Sequence, residues 1–139
     1  MTARLPLALS LLALAAAPVA AGEPKSFACN FVDGTTYSYE QGQYVPEKAA
    51  PLSFGIEAID EKAQTADLKT ERGTGQLRIV QAVNAMHFLE VVTEGFLNVT
   101  TVYDKDAAKD LHPAVHSRHI GLFGQPIVSQ YHGFCSAKD

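Results

Sequence analysis

The chain has 139 residues, a net charge of −4 and a hydrophobic fraction of 47%. This mildly acidic balance has no basic run to neutralise phosphates, which argues against a nucleic-acid partner or an anionic membrane surface. Only two cysteines are present, and no long apolar segment follows the N-terminus, so one domain with a single core is expected, without membrane insertion of the mature chain.

The chain opens with Arg4, an apolar stretch from Leu5 to Ala17, the helix breaker Pro18 and the small-residue segment Val19-Ala20-Ala21. That is the pattern of a secretory signal peptide, with an apolar run too short for a membrane span. Cleavage is expected after Ala21. Removing residues 1–21 from the 139 leaves 118, read as a single β domain over 22–139, and the loss of Arg4 takes the charge to −5. The expected destination is periplasmic or secreted. In such a compartment an even pair of cysteines reads as a disulfide, so Cys29 and Cys135 are expected to join the two ends of the domain.

Between the cysteines the hydrophobic pattern is that of strands. SFACNFV and TTYSYE flank Asp33-Gly34, a hairpin turn signal. Tyr44 to Pro51 carries two prolines and reads as a loop. LSFGIEAID and TADLKT follow, separated by a polar turn from Asp60 to Gln64, and Arg72-Gly73-Thr74-Gly75 reads as another turn. GQLRIVQAV, MHFLEVVT and FLNVTTVY are separated at Asn84-Ala85 and Glu94-Gly95. A short helix is predicted next, capped by Asp104, favoured by Ala107 and Ala108, with Lys105 and Lys109 at i, i+4 and Pro113 as its stop. AVHSRHIGL and PIVSQYHGFC close the chain on either side of Phe123-Gly124-Gln125. Strands this short, with turns every eight to twelve residues, predict an all-β, antiparallel up-and-down barrel or closed sandwich of about eight strands, with one short helix and terminal strands linked by the disulfide.

Parity assigns the faces of the middle strands. If the two separators are two-residue turns, Leu77, Ile79, Gln81, Val83, Met86, Phe88, Glu90, Val92, Leu97, Val99, Thr101 and Tyr103 share one face. Arg78, His87, Asn98 and Thr100 fall on the other. The first set is the more apolar and should face the core, which places a carboxylate, Glu90, among apolar side chains. A buried acid of this kind can bind a ligand or move a proton. Glu90, Phe88 and Tyr103 are therefore the expected ligand-binding residues.

Three of the five histidines lie in HPAVHSRH, at 112, 116 and 119. On a helix they would share a side and could begin a zinc or copper site. Pro113 and the β-branched Val115 and Ile120 favour extended structure, in which His116 and His119 point to opposite faces. His112, His116 and His119 are thus weak metal candidates, and no metal site is expected. MHFLE fails as a metallohydrolase motif because position 91 is valine. There is no G-x-S-x-G, no Gly-rich phosphate loop and no sign of a cofactor. Asn98-Val99-Thr100 matches a glycosylation acceptor, and Tyr37, Tyr39 and Tyr44 could edge a ligand mouth.

Composition, compartment and pattern together predict an exported, non-enzymatic β-barrel that binds a small apolar ligand or an extracytoplasmic partner. Two other classes stand behind it. One is transition-metal binding through His112, His116 and His119 with His87 or His132, and the other is an enzyme using Glu90 with a nearby histidine.

Overall fold

The computed structural model describes residues 22–92, 95–121 and 124–138, with the Val91 side chain excepted. The leader proposed for residues 1–21 lies outside the described residues. Nine strands run in chain order: β1 (Ser26–Glu40), β2 (Gln43–Lys48), β3 (Leu52–Asp60), β4 (Thr65–Thr70), β5 (Gly73–Ala82), β6 (Ala85–Val92), β7 (Phe96–Tyr103), β8 (His112–Ile120) and β9 (Ile127–Lys138). Each pairs antiparallel with its neighbour in the order β2-β1-β3-β4-β5-β6-β7-β8-β9, and β1 also pairs with β9. Eight strands therefore close a barrel, and β2 lies outside it against the second half of β1. Closure removes the free edges that an open sheet of this length would present.

The long strand β1 makes this arrangement possible. Its first half, Phe27 to Phe31, pairs with β3, while Thr35 to Glu40 pairs with β2. Asp33-Gly34 is not a turn. The strand runs straight through it and reverses at Gln41-Gly42, where φ is 48° and 85°. Gly34 serves close approach instead, since a Cβ there would stand 2.5 Å from the Tyr131 ring. Tyr44 to Pro51 is likewise not all loop. Pro46 sits in β2, a strand outside the barrel, where a missing N–H costs least.

The predicted helix is absent, and no helix of four or more residues occurs among the described residues. Residues 104–111 form a single turn closed by bridge pairing of Asp106 with Leu111. The Asp106 carboxylate accepts from Ala108 N–H at 2.9 Å, and its carbonyl accepts from Asp110 N–H at 2.8 Å. Asp110 has φ 56°, which ends the turn before a second one can form. Eight residues between paired strands cannot offset the cost of a helix nucleus.

The core fills the barrel. Phe27, Phe31, Phe54, Ile56, Leu77, Ile79, Phe88 and Val102 are buried, together with Cys29 and Cys135. Cys29 and Cys135 face each other across β1 and β9 and form a disulfide, with Cα atoms 4.0 Å apart. A disulfide is the mark of an oxidising, extracytoplasmic environment.

One glycine holds the closure seam. Register shifts between Asn30 and Asp33, so Phe31 and Val32 together stand opposite Gly133 in a bulge. A Cβ on Gly133 would come within 2.1 Å of the Asn30 carbonyl oxygen and 2.8 Å of Phe31 Cα, both backbone atoms. Gly133→Ala is expected to cost about 3 kcal/mol, since only a backbone shift can relieve the contact. Gly121→Ala, with nothing within 4 Å of its Cβ, should stay within about 0.5 kcal/mol of wild type. Urea denaturation of the two variants checks the contrast, and equal stabilities would contradict the close crossing of β1.

Candidate functional site

Two of the cavities of the barrel bear most directly on ligand binding. The first is a small pocket of about 50 Å³ inside it, lined by residues that include Phe88, Glu90, Asn98, Thr100, His116 and Arg118. The β5–β6 hairpin turns at Val83-Asn84 and pairs Ala82 with Ala85. This register differs from the predicted one by two, so parity survives and Phe88 and Glu90 face inward as expected. Strand β7 does not keep its predicted face. Val92 pairs with Phe96, which puts three residues in the connection instead of two and turns β7 over. Asn98, Thr100 and Val102 point inward, while Leu97 and Tyr103 are on the outer face, Tyr103 with 40% exposure. Tyr103 is thus separated from Glu90 and Phe88.

The flipped strand brings polar groups into the barrel in two rows. In one, Glu90, Asn98 and Arg118 are successive cross-strand partners on β6, β7 and β8. Asn98 Nδ2 donates to Glu90 Oε2 at 2.8 Å. A carboxylate only accepts, so this contact sets the amide orientation and leaves Asn98 Oδ1 buried without a partner. Gly75 lies beside this carboxylate, since a Cβ there would stand 2.9 Å from Glu90 Oε1. Because the Asn98 side chain is inside the barrel, the Asn98-Val99-Thr100 acceptor is not presented by the folded protein.

In the second row, Phe88, Thr100, His116 and Tyr131 are cross-strand partners. His116 is 4% exposed and ringed by Phe31, Phe54 and Tyr131 at 5.1 to 5.8 Å between centroids. Arg118 Nε donates to His116 Nε2 at 3.3 Å, and Arg118 lies over the Tyr131 ring at 5.5 Å. Since arginine only donates, His116 Nε2 is the bare nitrogen and Nδ1–H donates to Thr100 Oγ1 at 2.8 Å. Burial, with the nearby Arg118 charge adding to it, pushes the imidazole pKa down to about 3. The ring is neutral and both nitrogens are engaged, so it is not a free base for Glu90.

The histidines predicted as a group are dispersed. His112 faces inward near the far end of β8, its Nδ1–H donating to the Tyr103 carbonyl at 2.8 Å and its ring edge-on to Phe27 at 5.1 Å. His116 is two side-chain repeats further along the same face, with Ala114 between them, and His119 is exposed on the opposite face. His87 bonds Thr101 through Nδ1 on the outer face at 2.9 Å. Among the described residues no three His, Cys, Asp or Glu side chains converge as metal ligands do.

The second place is an outer groove of about 700 Å³ across β8, β9 and β1, walled by the 104–111 turn. Val32, Leu111, Pro113, Val115 and Phe134 give it an apolar lining, and Tyr103 closes one side. Val32, thrust out by the bulge, is 58% exposed. Lys109 caps the Phe134 ring at 4.4 Å from its centroid. The volume is that of pockets that bury small molecules. Tyr37, Tyr39 and Tyr44 line neither place. They stand exposed on the arm made by β1 and β2, with Tyr39 edge-on to Tyr44 at 5.1 Å.

Neither Arg118 nor the outer groove is among the residues and sites expected from the sequence. For Arg118 the signal was available: it stands two residues from His116 and so shares its face on any strand. Asn98 and Thr100 would have followed from a three-residue connection at Gly95. No protein-family model matches this chain, and no curated protein matches it.

Proposed function

We propose that this chain is an exported, non-enzymatic binding module, periplasmic or secreted, which holds a small apolar molecule in the groove across β8, β9 and β1. The observation that carries the reading is the groove itself. Its volume of about 700 Å³ suits such a ligand, and its lining is mainly aliphatic and aromatic, with Asn30, Asp33, His132 and Ser136 as its polar members. The barrel interior is the weaker place for an apolar ligand, since its pocket of about 50 Å³ is rimmed by Glu90, Asn98 and Arg118. Phe88 serves there as core. Of the residues expected to bind, Tyr103 belongs to the groove.

A neutral apolar dye whose emission rises on leaving water, titrated with and without long-chain fatty acids as competitors, tests this. Saturable binding is expected. Val32→Asp should weaken it by about tenfold or more, because an ionised carboxylate would be desolvated under the ligand. The exposure of Val32 lets the variant fold with an unchanged melting temperature. Equal dye affinity in Val32→Asp and wild type would overturn the reading.

A further inference from the structure

We propose that the barrel-end pocket between Glu90 and Arg118 is a second, separate binding site, which takes the head group of a compact zwitterion of the α-amino-acid type. The argument starts from two opposite charges held apart. Glu90 and Arg118 stand on β6 and β8 with β7 between them, and both line the same pocket. Neither is ion-paired among the described residues. A charge that is partly withdrawn from water gains most from a partner that is both opposite in sign and hydrogen-bonded.

Each end of the pocket is prepared for one half of such a ligand. At the Glu90 end, Oε2 is occupied by Asn98 Nδ2, which holds the carboxylate in place. Asn98 Oδ1 is a buried acceptor with no donor. A carboxylate and an orphaned amide oxygen side by side call for a group that only donates and carries positive charge, which describes a primary ammonium. At the other end, Arg118 is braced by His116 through Nε and by the Tyr131 face. Its Nε is spent on that brace, so the Nη groups remain to meet a carboxylate as a fork. His116 is here a positioning residue, acting through Arg118.

The size of the pocket sets the class. About 50 Å³ is more than one water occupies in the liquid and too little for an apolar chain. Glu90 and Arg118 are only half-buried, so a ligand's side chain can project from the barrel end while its two charges sit inside.

The experiment uses glycine as the probe with the full mature protein, and follows backbone amide and arginine side-chain NMR signals. Glycine should shift the signals of residues 90, 98 and 118 saturably, with a Kd in the millimolar range or tighter. Acetate and methylammonium, each carrying one half of the charge pattern, should bind about tenfold more weakly or worse, as should glycine betaine, which has no N–H to give Asn98 Oδ1. Glu90→Gln and Arg118→Met should each weaken glycine about tenfold. Should either variant fail to fold, the comparison of the four probes on the wild-type chain still decides. Acetate binding as tightly as glycine would overturn the proposal in favour of a simple anion site. Absence of a saturable shift at tens of millimolar glycine would overturn it outright. Val32→Asp should leave glycine binding unchanged, so failure of the groove reading and failure of this one are distinguishable.

Discussion

Opening the Cys29–Cys135 bond should lower the unfolding free energy by about 4–5 kcal/mol, a large part of what a domain of this size has. The two cysteines are 106 residues apart in sequence, so the bond closes nearly the whole barrel, from β1 to β9, into one loop. In the chain-entropy account a loop of that length restricts the unfolded state close to the maximum a single crosslink can reach. Its position adds to this. Cys29 and Cys135 lie in the seam where β1 meets β9, the one pairing of the barrel that joins the two ends of the chain. Both sulfurs are in the core, with Cys29 3% and Cys135 0% exposed. A single Cys29→Ser variant would combine loss of the crosslink with a buried hydroxyl, whereas the double change to alanine isolates the crosslink. Urea denaturation of the double variant should show the full loss, and titration of unfolded, unreduced wild type should find no free thiol. Two free thiols, or a double variant as stable as wild type, would contradict the result.

The seam also shows why parts of this fold were legible in the sequence and others were not. Closure between the first and last strands follows from cysteines at both ends of a strand-rich chain, and the inward faces of β5 and β6 follow from alternation. Parity arguments are insensitive to a shift of two, so the misplaced turn at Asn84 did no harm. They are fully sensitive to a shift of one, and the single extra residue before Phe96 turned β7 over. That one error moved Asn98 and Thr100 from the inside to the outside and hid the polar pocket. Asp33-Gly34 misled for a different reason. Glycine beside aspartate signals a turn by its backbone freedom, but Gly34 is there because Tyr131 needs the volume of its missing side chain. The helix at Asp104 failed because local propensity is weak against the pairing of Asp106 with Leu111. The groove had no local signal at all, since its lining comes from three strands and a turn.

The histidine at the centre of HPAVHSRH should make the protein acid-sensitive by an amount far beyond a surface imidazole. His116 has an ordinary value of 6.5 and is held at about 3 in the folded state, first by burial and second by Arg118. Protonation would also remove the lone pair on Nε2 that accepts from Arg118 Nε–H, leaving two cations in contact. The sign follows from which state binds the proton. Above pH 6.5 neither state does, and the neutral ring carries no penalty. Between 6.5 and about 3 the unfolded chain takes up the proton and the folded chain does not, so stability falls as pH falls. Below about 3 both bind it and the loss levels off. Over the full window this is about 4–5 kcal/mol at 1.36 kcal/mol per unit. The other groups facing the ring are Thr100, which does not titrate in this range, the phenyl rings of Phe31 and Phe54, and the Tyr131 phenol. Glu90 shares the pocket. His116→Gln keeps a polar side chain of similar reach without the titration, so its unfolding free energy should decline less steeply than wild type from pH 6.5 downward. Histidine NMR should show the His116 ring still neutral at pH 5, with its proton on Nδ1. Parallel stability curves for the two proteins, or a ring that titrates near 6.5, would mean that the imidazole is not enclosed between β8 and the Phe31 and Phe54 rings as described.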